Sequence, residues 1–245
     1  RHGPVLGLVG ELEEVVLLVP LDLLRGPSRL QDSLPQLLQA ALVLEGETPL
    51  YAWALIPNHF HLLLRTGNDS ISKLMKRLLT GYAVNYNRRQ GRSGHLFQNR
   101  YKSILCQEDP YLLELVRYIH LNPLRAKVVG DLDALELYPF AGHGVLLGRK
   151  QQSWQDTATV LRQFDPNVGP ARRFYRQFMA EGADQGRRPE LVGGGLVRSL
   201  GGWSEVSKLR KAKAYMKGDE RILGDSDFVT QALAAAEEEW ERTHA

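Results

Sequence analysis

His59 and His61 stand two apart in His59-Phe60-His61-Leu62-Leu63-Leu64-Arg65. On an extended strand, positions two apart project from one face, so both imidazoles share a side with Leu63 and Arg65, while Phe60, Leu62 and Leu64 line the other. Two adjacent imidazoles on a rigid strand suit a borderline or hard divalent cation. The dipeptide alone is weak support, since most His-x-His pairs are ordinary surface histidines. Further along, Tyr118 and Asn122 are four apart and share a helix face if the turn before Pro123 stays helical; His120, two from Tyr118, points elsewhere. Laying that helix across the strand brings a phenol and an amide oxygen to the imidazoles, which completes a neutral three-ligand site with positions open to phosphate oxygens. A tyrosine phenol has a pKa of about 10 and needs a base or a cation to attack at neutral pH. A metal ion polarises a non-bridging phosphate oxygen and aligns the phosphorus for in-line displacement. The expected product is a phosphotyrosine link that stores the broken bond.

The elements that must position these groups are legible from Tyr51 onward. Tyr51 to Ile56 reads as a strand, Pro57-Asn58 as a turn and His59 to Arg65 as the returning strand of a tight antiparallel hairpin. Asp69 or Ser70 can cap a helix to about Arg89 with Ile71, Leu74, Leu78 and Tyr82 on its buried stripe. His95 to Cys106 has the content of another strand. Asp109-Pro110 opens a helix that must stop near Asn122 because Pro123 follows. This β-β-α-β-α order, with one strand and one helix expected upstream, suits an α+β fold in which an antiparallel sheet carries helices on one face.

The flanks differ in character. Residues before Tyr51 are rich in Leu, Val and Gly, without one aromatic residue, Ile, Lys or Asn. Only a helix around Leu34 to Leu44 is plausible there from its spacing. After about Tyr138, Gly, Gln and Pro punctuate short helical patterns such as Arg172 to Ala180. Helix candidates from Ser204 to Met216 and Ser226 to Arg242 close the chain, with a weak helix-turn-helix possibility between them. The expected division is 1–48, an atypical N-terminal segment; 49–139, the domain carrying the chemistry; and 140–245, a helical C-terminal extension.

At 245 residues the chain can bury a sizeable core, and 24% charged with 43% hydrophobic residues excludes a disordered chain or a fibre. The single cysteine, Cys106, fits a reducing compartment. Glu11, Glu13, Glu14, Pro20 and Asp22 break the apolar N-terminal stretch, so a soluble cytoplasmic protein without a membrane partner is expected. The formal charge is only +3, yet nine Lys or Arg residues lie from Arg65 to Lys102 against one acid, Asp69. Such a run is either a solvated face or a surface for a polyanion, and phosphate backbone is the expected partner.

Three blocks in one register, Pro57-Asn58-His59-Phe60-His61-Leu62-Leu63, Gly94-His95-Leu96-Phe97-Gln98-Asn99-Arg100-Tyr101-Lys102 and Arg117-Tyr118-Ile119-His120-Leu121-Asn122-Pro123, resemble the single-tyrosine HUH transposases. The similarity is nearest to the transposase-like proteins associated with repetitive extragenic palindromes, relatives of the insertion-sequence enzymes. It implies a ferredoxin-like catalytic domain, Mg2+ or Mn2+ held by His59, His61 and Asn122, and Tyr118 as nucleophile. Insertion-sequence relatives often carry Gln where this chain has Asn122, which keeps an amide ligand one methylene shorter. The implied function is that of a metal-dependent single-stranded DNA endonuclease and strand transferase, working through a 5'-phosphotyrosine intermediate on hairpin DNA as a monomer or homodimer. Arg88, Arg89, Arg92, Arg100, Tyr101 and Lys102 are the expected DNA contacts, by charge and position.

The resemblance covers about 50–139 well and fails before Tyr51. There the family's opening strand, with His-Val and Arg-Gly elements, and its Arg/Asp-rich helix are not found, so the N-terminal segment is not expected to supply a well-packed central strand. Two other classes use parts of the pattern. One is a DNA-binding module derived from such a transposase that has lost catalysis. The other is a metal-dependent nucleotide hydrolase, which leaves Tyr118 and the basic stretch without a role.

Overall fold

The computed structural model describes residues 15–19, 48–57, 59–66, 70–97, 101–186, 191 and 221–244. Five strands form one sheet: β1 (Val15–Val19), β2 (Leu50–Leu55), β3 (Phe60–Arg65), β4 (Lys102–Cys106) and β5 (Ile222–Leu223), in the order β2-β3-β1-β4-β5. β1 runs antiparallel to both β3 and β4, with Leu17 opposite Leu63 on one side and Ile104 on the other. β2 and β3 form the expected hairpin, and Ile56 N donates to His59 O at 2.9 Å to close it. β5 adds in parallel beside β4.

The position of β1 corrects the expectation for the N-terminal segment: residues 15–19 pair centrally in the sheet. The physical reason lies in Val15-Val16-Leu17-Leu18-Val19, a continuous apolar, β-prone run between Glu14 and Pro20. A strand paired on both edges in the middle of a sheet commonly has that texture rather than an alternating one. The helix expected around Leu34 to Leu44 lies outside the described residues.

The α+β class with an antiparallel sheet holds, but helices cover both faces rather than one. On the first face, α1 (Ile71–Arg89) packs Ile71, Leu74, Met75, Leu78, Tyr82 and Tyr86 against Phe60, Leu62 and Leu64. On the second, α2 (Glu108–His120) packs Leu112, Leu115, Val116 and Ile119 with Ala52, Ala54, Leu63 and Ile104. Leu62, Leu63 and Leu64 are all buried, so β3 has no solvated face to leave bare. α8 (Ser226–His244), which matches the last helix candidate, joins the first face through Val229 and Ala232.

Two boundaries move. The strand expected from His95 begins only at Lys102; before it, Leu96 and Phe97 plug the edge of the first core without pairing as a strand. The N-cap of α2 is Gln107, not Asp109; the Gln107 side chain instead accepts from Asp225 N at 3.0 Å, which ties the start of α2 to the strand end after β5.

Five further helices follow: α3 (Asn122–Arg125), α4 (Leu132–Leu137), α5 (His143–Leu146), α6 (Thr157–Arg162) and α7 (Val168–Ala183). Asp131 and Asp156 cap α4 and α6 through their side chains, accepting from Ala134 N and Thr159 N. Residues on both sides of position 140 share one core: Leu115 and Ile119 pack with Leu146, Val160, Leu161, Ala171, Tyr175 and Met179. The Ser204 to Met216 helix candidate lies outside the described residues. Among the described residues no helix is long and apolar enough to cross a membrane.

Candidate active site

The second face of the sheet is where the chemistry-bearing residues meet. β3 places His61 on that face, and the hairpin turn holds His59 beside it, with ring centres 5.2 Å apart and edge to face. α2 crosses the same face, and the Tyr118 ring lies edge-on to His61 with centres 5.9 Å apart. Three of the four groups singled out from spacing are therefore close neighbours. Asn122 lies one turn beyond Tyr118. Pro123 has no N–H to donate, which splits the helix into α2 and α3, yet Leu121 between them keeps right-handed helical angles (φ −81°, ψ −8°). The i, i+4 relation between Tyr118 and Asn122 thus survives the break.

His61 is buried, and burial together with the neighbouring His59 lowers its pKa to about 3. The ring is neutral at physiological pH, the form in which imidazole binds a cation. Its Nδ1 and the Asn122 Nδ2 are buried and have no hydrogen-bond partner among the described residues. Buried polar atoms are normally satisfied, and the exceptions concentrate at functional sites. Rotating the Asn122 amide by half a turn presents Oδ1 in place of Nδ2. No group of three or more His, Cys, Asp or Glu side chains among the described residues is placed to hold a metal.

Arg125 is a residue that spacing did not single out. Its guanidinium lies 5.6 Å from the centre of the Tyr118 ring, and Nη1 donates to Tyr118 O at 3.4 Å. It is seven positions from Tyr118, two turns along the same face; a basic residue at i+7 was the available signal, hidden by Pro123.

His120 points away from this cluster. Its Nδ1 is 2.8 Å from the Tyr175 hydroxyl, which is also 2.7 Å from His143 Nδ1. A hydroxyl has one proton, so Tyr175 donates to one imidazole and accepts from the other, and the two rings hold opposite tautomers. All three side chains are buried. Burial, with His143 nearby, holds His120 well below its ordinary pKa; burial lowers His143 to about 4, Arg176 acting in the same direction and Glu136 against them. Gly142 lets the chain pass this cluster, because a Cβ there would lie 2.7 Å from Gln155 Oε1 and 2.8 Å from His120 Nε2.

Three neutral, buried histidines make stability pH-dependent. Each has a folded pKa below the unfolded value of about 6.5, so the unfolded chain takes up protons first as pH falls. Their stability is complete above about pH 6.5 and declines through the window down to the folded values, about 4 for His143 and about 3 for His61. Within it each histidine costs about 1.4 kcal/mol per pH unit. Denaturation midpoints of metal-free protein should drop steeply between pH 6.5 and 5. Equal midpoints at pH 7 and 5 would mean that these rings are solvated.

The expected DNA contacts are dispersed. Arg88, Arg89 and Arg92 are exposed at and after the end of α1, on the sheet face opposite Tyr118, with Arg92 5.9 Å over the Tyr86 ring. Tyr101 is half-buried, its hydroxyl 3.1 Å from Ser72 Oγ. Arg100 and the side chain of Lys102 lie outside the described residues.

The family described as Transposase IS200 like matches residues 30–122, a span that contains His59, His61, Tyr118 and Asn122. The IS200-like segment ends at Asn122, the last of those residues, and leaves β1 outside. A solved structure described as the REP-associated tyrosine transposase bound to a REP hairpin is also similar, with 17% identity, a TM-score of 0.44, and coverage of 59% of this chain and 93% of that one. No curated protein matches.

Proposed function

We propose that this chain cuts and rejoins single-stranded DNA, with Tyr118 as the nucleophile and hairpin DNA as substrate. The carrying observation is the meeting of His59, His61 and Tyr118 on one sheet face, at ring separations of 5.2 and 5.9 Å, inside an IS200-like segment. The phenol oxygen attacks a phosphorus of the strand, a phosphotyrosine bond forms, and the leaving 3'-oxygen departs with a proton; reversal by another 3'-hydroxyl rejoins the strand. Arg125 places a positive charge 5.6 Å from the centre of the Tyr118 ring, where it favours the negative charge that builds on the phosphate.

The neutral His61, its unpartnered Nδ1 and the unpartnered Asn122 amide fit a divalent ion, and His59, His61 and Asn122 would hold it. When bound, Mg2+ or Mn2+ supplies Lewis-acid polarisation of the scissile phosphate. His59→Ala and His61→Ala should each abolish Mn2+ binding by calorimetry, and Asn122→Ala should weaken it. His120→Ala should affect it much less than loss of either imidazole ligand, since that ring faces Tyr175 and does not itself ligate the ion. Unchanged ion affinity in the Asn122 variant would remove the amide from the site.

Phosphate contacts make affinity fall with salt, with a log–log slope of about 0.7 per single-strand contact and about 0.9 per duplex contact. Replacing Arg88, Arg89 or Arg92 by Ala should lower hairpin affinity and flatten that slope by about one contact each. Salt-independent binding would leave the stretch as a solvated surface. The alternative, a DNA-binding module without catalysis, drew its support from the apparent lack of a first strand, and the central pairing of β1 removes that ground.

A further inference from the structure

Helix α7 touches the nucleophile helix α2 through a seam that the proposed reaction does not itself use. From α7 come Tyr175, Phe178 and Gly182, spaced i, i+3, i+7 on one face; from α2 come Arg117 and His120, spaced i, i+3. His120 Nδ1 meets the Tyr175 hydroxyl at 2.8 Å. The Arg117 guanidinium lies 4.0 Å over the Phe178 ring, donates to Phe178 O at 3.3 Å and is held by both carboxylate oxygens of Glu114 at 2.6 and 2.7 Å. Gly182 leaves room for it, because a Cβ there would collide with Arg117 Cδ.

The geometry points to Tyr175 as a positioning residue for Tyr118, acting through His120. Residues two apart on a helix are turned about 200° from each other, so His120 points nearly opposite both Tyr118 and Asn122, which share a face. A hydrogen bond that fixes His120 on the α7 side therefore fixes the rotation of the last turn of α2 about its axis. That rotation decides whether the phenol and the amide meet the imidazoles of β3. His143 holds the other side of the Tyr175 hydroxyl at 2.7 Å, so the anchor is itself fixed from two directions. The seam ties the segment after residue 140 to the proposed chemistry.

This inference rests on Tyr118 as nucleophile, and its test separates the two. Site-specific 3-fluorotyrosine at position 118 of the full chain reports the ring's surroundings by 19F NMR, with or without DNA. Tyr175→Phe removes only the shared hydroxyl: its 19F resonance should shift or split, and the single-turnover rate of adduct formation at saturating Mn2+ and hairpin should fall at least tenfold, with hairpin affinity unchanged. His120→Asn, which keeps a hydrogen-bonding group near Nδ1, should retain most of the rate, and His120→Leu should not; this pair carries the measurement if Tyr175→Phe fails to fold. A folded Tyr175→Phe with unaltered resonance and rate overturns the proposal, as does equal loss in both His120 variants. A wild-type chain that forms no adduct sinks the strand-transfer reading, and the resonance then decides the positioning role by itself.

Discussion

Tyr118→Phe is expected to abolish the covalent protein–DNA adduct, a loss of more than about a thousandfold, while hairpin binding stays nearly intact. Only the attacking oxygen is removed, and a neighbouring water has neither its placement nor its tie to the chain. The ring remains, so its edge-on packing with His61 is kept. Arg125→Gln offers the graded contrast: it leaves the phenol but takes away the cation 5.6 Å from its ring, and the rate should fall about ten- to a hundredfold rather than vanish. The measurement is a denaturing gel of protein incubated with labelled single-stranded hairpin and Mg2+ or Mn2+. An adduct that survives in Tyr118→Phe, or that maps to Tyr101 or Tyr111, means that another tyrosine is the nucleophile.

The second large effect is structural. Leu17 sits at the middle of β1, paired to Leu63 of β3 and Ile104 of β4. Proline there removes a backbone donor from a strand with neighbours on both edges, a place in a sheet where proline is essentially never found. In a domain of ordinary marginal stability, losing a central ladder bond and the pairing around it removes a large share of the margin. Leu17→Pro should therefore lower the chemical denaturation midpoint sharply or leave the chain unfolded by circular dichroism. A midpoint within experimental error of the wild type would show that residues 15–19 do not pair centrally.

How much was legible follows from where local pattern and tertiary demand agree. The hairpin around Pro57 and the stripe of α1 are local features, carried by alternation, turn residues and i, i+4 spacing. The meeting of His59, His61 and Tyr118 was legible for the same reason: the two histidines share a strand face by period, and packing the helix of Tyr118 on that face brings the phenol to them. One strand was expected upstream, but β1 was not located, because an unbroken apolar run without alternation or aromatic residues looks like featureless sequence. Helices on both faces were missed although Leu62-Leu63-Leu64 carried the hint, an unbroken apolar run where a one-faced sheet would alternate. The seam between α2 and α7 was out of reach, since nothing local links His120 to Tyr175, 55 residues away.

The central place of β1 also shapes how the chain is made. During synthesis Val15 to Val19 emerges long before Leu63 and Ile104 exist to flank it, so a short apolar, β-prone segment waits with both edges open. Such a segment is the kind that pairs with a neighbouring nascent chain. Its flanks blunt that hazard: Glu11, Glu13 and Glu14 precede it and Pro20 closes it, charges and a proline where they repel or block strand addition without entering the strand. The pairing of Leu105 with Ile222 then delays completion of the sheet until Ile222 has emerged. Contacts so distant in sequence make folding slow, which lengthens the interval in which the acidic approach to β1 opposes pairing with a neighbour.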